Sequence, residues 1–232
     1  MQHEGRRPAD GTRSRHDGVM ELFAGPLWVH YGQAYVLIGD GDPSDLEACF
    51  RGQVNGLCGT ASSGAMFLLT GLHTGQVGFT VEVSKAPPEL DFSWEEIVEA
   101  PFVVRDSPVA LYEWGGASGQ PLLLAAGQYR ARYSGRNMQA GHDQDTSVDD
   151  ETIIDQYRLQ FWPAAAAPDQ VIRQTSSIAA YSRPRLAATE CSNYRRDVCF
   201  LRPQQGDKSQ HQHHAQVRHT HEHECQHGHL HG

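Results

Sequence analysis

Gln128-Tyr129-Arg130-Ala131-Arg132-Tyr133 is the stretch whose reading decides the fold. Tyr129, Ala131 and Tyr133 fall on one side of a two-residue period and Arg130 and Arg132 on the other, as a half-buried strand requires. The segment Ile153-Ile154-Asp155-Gln156-Tyr157-Arg158-Leu159-Gln160-Phe161-Trp162-Pro163 repeats the pattern, with Tyr157, Leu159 and Phe161 opposite Gln156, Arg158 and Gln160. Pro163 closes it by removing a backbone donor. The two segments are predicted to pair antiparallel.

Working outward, Leu27, Val29 and Tyr31 alternate with Trp28 and His30, and Tyr35 to Ile38 continues as strand until Gly39-Asp40-Gly41-Asp42-Pro43 supplies turn residues. Ala65 to Leu72 and Gln76 to Val83 read as a hairpin joined by His73-Thr74-Gly75. Ser93-Trp94-Glu95-Glu96 has the form of a capping box, which predicts a short helix ended by Ala100-Pro101. Phe102 to Arg105 and Val109 to Trp114 alternate again, and Val171-Ile172 reads as a last short strand. The fold class that follows is all-β, an antiparallel β-sandwich with one short helix.

The ends differ from this middle. Residues 1–19 read as a disordered leader, with Met20 an alternative start; residues 20–175 form the sandwich domain; residues 176–232 read as a disordered histidine-rich tail. A core of about 155 residues buries roughly 68 to 70 per cent of its unfolded surface, enough to stand without staples. The five cysteines (Cys49, Cys58, Cys191, Cys199, Cys225) are odd in number and form no CxxC, which points to a reducing compartment. No apolar run follows the arginines of the leader and none approaches bilayer length, so the expected location is cytoplasmic, without membrane contact.

Charge is unevenly divided. Residues 20–175 hold 20 Asp plus Glu against 8 Lys plus Arg, net −12, whereas the leader is +1 and the residues beyond 175 are +2. A negative field repels phosphate backbones and speeds encounter with basic proteins, so direct nucleic-acid binding is excluded and a basic partner is expected. The most concentrated carboxylates are Asp143, Asp145, Asp149, Asp150 and Glu151, five in nine residues, an exposed loop by self-repulsion and the candidate partner-binding segment.

Other features carry less. Asp40, Asp42 and Asp45 lack the spacing of a calcium loop, because Arg51 stands where the bidentate acid belongs. Gly56-Leu57-Cys58-Gly59-Thr60 only superficially has the form of a nucleophile elbow, and Cys58 is read as a small buried or loop thiol. In the tail, His219, His221, His223, Cys225, His227, His229 and His231 occupy alternate positions, and imidazole and thiolate are ligands that Zn and Ni prefer. No HExxH, GxSxG, phosphate-binding loop or dinucleotide fingerprint occurs, so the expected role is non-catalytic, with no required cofactor.

With these pieces placed, Tyr31-Gly32-Gln33-Ala34-Tyr35-Val36, the segment Asp91 to Ala100 read as a short helix, Leu124-Ala125-Ala126-Gly127-Gln128-Tyr129-Arg130 and the closing strand Tyr157 to Trp162 resemble the competence-J family, small cytoplasmic proteins that inhibit a DNA-entry nuclease. The resemblance spans about residues 22–165, and a longer Gly39 to Gly64 insert, the acidic loop and the histidine tail depart from it. It implies a β-sandwich that acts, like an immunity protein, by occupying a partner's surface, and it carries over no inhibitory residue. The functional expectation is an acidic sandwich that neutralises a basic partner such as a nuclease; the alternative is a metal-handling protein using its tail for Zn or Ni.

Overall fold

The computed structural model describes residues 18–105, 108–114, 119–147 and 153–180. The chain divides into two compact units, Met1–Leu201 and Arg202–Gly232, and every described residue belongs to the first.

Eleven strands and two short helices run in the order β1 (Val19–Val29), β2 (Gln33–Ile38), α1 (Leu46–Phe50), β3 (Cys58–Gly59), β4 (Ala65–Leu69), β5 (Gly75–Ser84), β6 (Glu96–Val104), β7 (Val109–Tyr112), β8 (Gly119–Leu122), β9 (Gly127–Arg136), α2 (Met138–Gln144), β10 (Gln156–Pro163) and β11 (Gln170–Arg173), counted among the described residues. They form two sheets, one ordered β1-β5-β10-β9-β6-β11 and the other β3-β4-β2-β7-β8. Leu27, Val77, Phe79, Tyr133 and Tyr157 from the first share one buried core with Tyr35, Val36, Phe67, Leu68 and Leu111 from the second. A β-rich, two-sheet protein is therefore what alternation in the sequence predicts and what the chain forms.

The pair of strands that organises the sequence holds as expected. β9 and β10 are antiparallel, with Tyr133 opposite Leu159 and Ala131 opposite Phe161. One pairing breaks the antiparallel rule, because β10 runs parallel to β5, with Tyr157 beside Phe79 and Leu159 beside Val81.

Two local expectations fail. The helix expected from Ser93 is absent, and Glu96–Val104 is a strand between β9 and β11. The residues of the apparent capping box bond elsewhere: the Glu96 carboxylate accepts from the backbone N–H of Thr175 and Ser176, and Glu95 accepts from that of Asn137. Pro101 is tolerated because β11 covers only Ile97 to Glu99, leaving that flank of β6 unpaired around the proline. The hairpin expected from Ala65 to Val83 is also absent. β4 lies between β2 and β3 in one sheet and β5 between β1 and β10 in the other, so residues 70–74 cross from sheet to sheet. Helix instead forms at α1, where the Asp45 side chain caps Ala48 N–H at 2.9 Å, and at α2.

Candidate functional site

At one end of the sandwich three segments converge: the β1–β2 turn, the crossover at residues 70–74, and the residues following α2. The turn is tight, with an isolated bridge from His30 to Gln33 and positive φ at both central residues, 56° at Tyr31 and 62° at Gly32. That is the signature of a type I′ turn, whose first central position favours Asn or Asp. A tyrosine held there costs on the order of 1 to 3 kcal/mol of backbone strain. Gly32 N–H donates to His73 O at 2.9 Å and Thr70 N–H to Gly32 O at 2.9 Å, so the crossover clamps the turn.

The crossover in turn holds the post-α2 segment. The Asp145 carbonyl accepts from His73 N–H at 2.9 Å and Thr74 N–H at 3.0 Å, and Ser147 N–H donates to Thr74 O at 2.8 Å. Asp145 has φ 64° and ψ −65°, and Thr146 N–H reaches back to Gln144 O at 2.7 Å. This is the strained form of γ-turn, rare outside constrained sites. Gly75 permits the close approach, since a Cβ there would stand 2.3 Å from Ser147 O.

The side chains that gather on this frame are aromatic. His30 lies 4.1 Å from Tyr31, 4.7 Å edge-on from Trp114 and 5.6 Å from His73, between ring centroids, and Tyr31 lies 5.1 Å from His73. All four are half-exposed. Thr74 Oγ1 sits between the imidazoles, 2.6 Å from His30 Nδ1 and 2.9 Å from His73 Nδ1. A hydroxyl can donate to one ring nitrogen while accepting from the other, so the pair is satisfied without a proton on every nitrogen. Burial, and then the neighbouring His73, lower the His30 pKa and favour its neutral form.

A buried polar network stiffens the frame from below. Tyr157 Oη donates to Asp155 Oδ2 at 2.6 Å and accepts from Gly71 N–H at 2.6 Å, while Asp155 Oδ2 also accepts from Leu72 N–H at 3.0 Å. Tyr133 Oη donates to Leu69 O at 3.0 Å, and its ring stacks on Tyr157. Burial raises the pKa of the Asp155 carboxyl.

Of the carboxylates expected to bind a partner, Asp143 lies in the last turn of α2 and Asp145 just after it, both exposed, and Asp145 is joined by its backbone carbonyl to His73 and Thr74. Asp149, Asp150 and Glu151 lie outside the described residues, as do the tail positions His219, His221, His223, Cys225, His227, His229 and His231. No group of three or more His, Cys, Asp or Glu side chains suited to a metal occurs among the described residues. Cys49 and Cys58 are buried free thiols; burial pushes the Cys49 pKa up to about 11 and raises that of Cys58. Sequence reasoning placed His30, Tyr31, His73 and Trp114 only on strand faces and a loop, and missed their meeting. The one readable signal was Tyr31-Gly32 occupying a turn that favours Asn-Gly.

Charge is sorted between interior and surface. Of the eight cationic residues in 20–175, Arg130 and Arg132 are buried on Glu99, Arg136 and Arg158 lie over the Trp94 ring at 4.8 and 4.9 Å, and Arg173 donates to Phe92 O. Among the described residues only Arg51, Lys85 and Arg105 are exposed, against nine exposed carboxylate residues: Glu21, Asp40, Asp42, Asp45, Glu47, Glu89, Asp91, Asp143 and Asp145.

No helix among the described residues is long and apolar enough to cross a membrane. No protein-family profile matches the chain, and no curated protein does. Among solved structures it is similar to ComJ from Bacillus subtilis, described as the inhibitor of the DNA degrading activity of NucA, at 18% identity and a TM-score of 0.45 over 63% of this chain and 98% of that one. It is also similar to a protein described as crocagin biosynthetic gene J, at 11% identity and a TM-score of 0.42 over 63% of this chain and 97% of the other. The chain thus bears a weak structural resemblance to ComJ.

Proposed function

We propose that the chain is a non-catalytic cytoplasmic binding protein that covers the surface of a basic partner, a nuclease in particular, and blocks it. The observation that carries this reading is the sorting of charge: of eight cations in residues 20–175, two are buried on Glu99, two lie over the Trp94 ring and one bonds a backbone carbonyl, which leaves, among the described residues, nine exposed carboxylate residues against three exposed cations. A nuclease must present cations to a phosphate backbone, and carboxylates on a rigid sandwich offer those cations an alternative partner. A nuclease is also the partner named for ComJ and the one implied by the sequence resemblance. Complementary fields make such an association fast and sensitive to salt.

The test is a plasmid-degradation assay with a panel of basic nucleases, titrated with the full chain at low and at high ionic strength. Inhibition saturating near one equivalent at low salt and relieved at high salt is expected. Absence of both inhibition and binding at either salt, across the panel, would overturn the reading.

A further inference from the structure

We propose that the His30–Tyr31–His73–Trp114 cluster is the anchoring pocket for a basic side chain, an arginine or lysine of a protein partner, and that it forms the centre of the docking surface. The inference rests on the proposed function and gives that surface a place.

The rings supply the attraction. Tyr31 and Trp114 stand 5.8 Å apart and inclined at 54°, with His30 beside both, so their faces do not close on one another as a stacked pair would. An electron-rich aromatic face attracts guanidinium and ammonium groups, with indole the strongest of the side-chain rings. The lowered pKa of His30 disfavours one cation that would repel the incoming group. The neighbourhood has the complementary sign: exposed Asp145 is joined through its carbonyl to His73 and Thr74, and half-exposed Glu113, whose Oε1 accepts from Trp28 N–H, precedes Trp114. Asp145 Oδ2 accepts only locally, from Thr146 Oγ1, and Asp143 Oδ1 from Gln139 Nε2, so each keeps a second oxygen for a charged donor. Aromatic anchors at the centre of a polar, charged rim are the usual energetic core of a protein interface.

Charge decides the occupant. Among the described residues exposed carboxylates outnumber exposed cations nine to three, a balance that disfavours an acidic ligand or a phosphate. A basic protein meets both the rings and the rim.

The experiment uses the full chain and an oligo-arginine peptide as probe, with affinity measured at two ionic strengths for the wild type, Tyr31→Asn, Trp114→Leu and, as control, Phe92→Ala. None of these substitutions alters a charge, so the general attraction of the −12 core stays constant. Tyr31→Asn also installs the pair that a type I′ turn prefers, so it is expected to fold at least as well as the wild type. Losses of roughly fivefold to thirtyfold in affinity at Tyr31→Asn and Trp114→Leu, with none at the exposed ring of Phe92, are expected. Equal, salt-sensitive binding by every variant would overturn the pocket and leave the broader acidic-surface reading standing. No binding by the wild type would overturn both. Sedimentation of the peptide-free chain covers the remaining occupant: self-association lost in Tyr31→Asn would make a second copy the ligand and overturn the assignment to a basic partner.

Discussion

Glu99 and its two arginines show how a strand with cations on one face can be covered on both. Its Oε2 accepts from Arg130 Nε at 3.0 Å and its Oε1 from Arg132 Nε at 2.9 Å, with Gln170 Nε2 adding a third bond at 2.9 Å. The guanidiniums are capped by the carbonyls of Ala167, Pro168, Pro88 and Glu89, and Arg132 lies 5.0 Å over the Trp162 ring. Alternation in Tyr129 to Tyr133 was legible as a strand, but the exposure it implied for Arg130 and Arg132 was wrong, because both are buried under segments far off in sequence. Glu99→Ala leaves two buried cations without their partner and is expected to cost about 3 to 5 kcal/mol in urea unfolding. Burial alone would raise the Glu99 pKa, but hydrogen bonds from Arg130, Arg132 and Gln170 outweigh it and hold the carboxyl below its ordinary value near 4.5. Its contribution is therefore present above pH 4.5 and fades as pH falls through the lowered folded value. Asp155 works in the opposite sense. Its folded pKa is raised above 3.8 by burial, so the folded state is favoured below 3.8 and loses that advantage as pH rises through the folded value. The stability difference between Asp155→Asn and the wild type is expected to shift toward the variant as pH rises above 3.8 and through the raised folded value, and a pH-independent difference would refute the assignment.

At the scale of elements, the lesson is which contacts a short motif has within reach. Ser93 to Glu96 read as a helix start because the capping box is a local pattern, yet its Ser and Glu side chains have distant partners, among them Ser93 Oγ, which accepts from Arg136 Nη2 at 2.8 Å. Ile97 and Val98 are then buried on a strand, where branched side chains pack well. The false hairpin has a similar origin: β4 is buried at all five positions and β5 alternates, which differ as central and half-covered strands do, but loop length alone masked the difference. The same crossover depends on a close approach, for a Cβ on Gly71 would lie 2.0 Å from Met138 O. Gly71→Ala must push α2 away from the crossover and is expected to cost about 1 to 3 kcal/mol, seen as a lowered Tm. Gly25→Ala, whose Cβ would meet only Phe23 at 3.8 Å, should leave Tm nearly unchanged.

For the molecule as a whole, two-residue alternation carried the class of fold and the charge of its surface, since both depend on composition along single strands. Strand order was not legible, because crossovers between sheets leave no periodic trace. The aromatic residues of the candidate site were not legible as a group, because they come from three separated segments. The alternating His219 to His231 series makes a claim of its own, namely that equilibrium dialysis against Ni or Zn should lose bound metal when residues 205–232 are removed, and unchanged uptake would refute it. The position of β10 has a consequence for biosynthesis. It lies between β5 and β9 yet is translated after both, so the nascent chain emerges with two incomplete half-sheets, β1-β5 and β9-β6, each presenting an open edge. Neither edge closes until Pro163 has left the ribosome. A chain released before Gln156 is therefore expected to aggregate through those edges rather than settle as a smaller domain, which light scattering of a fragment ending at residue 155 would check.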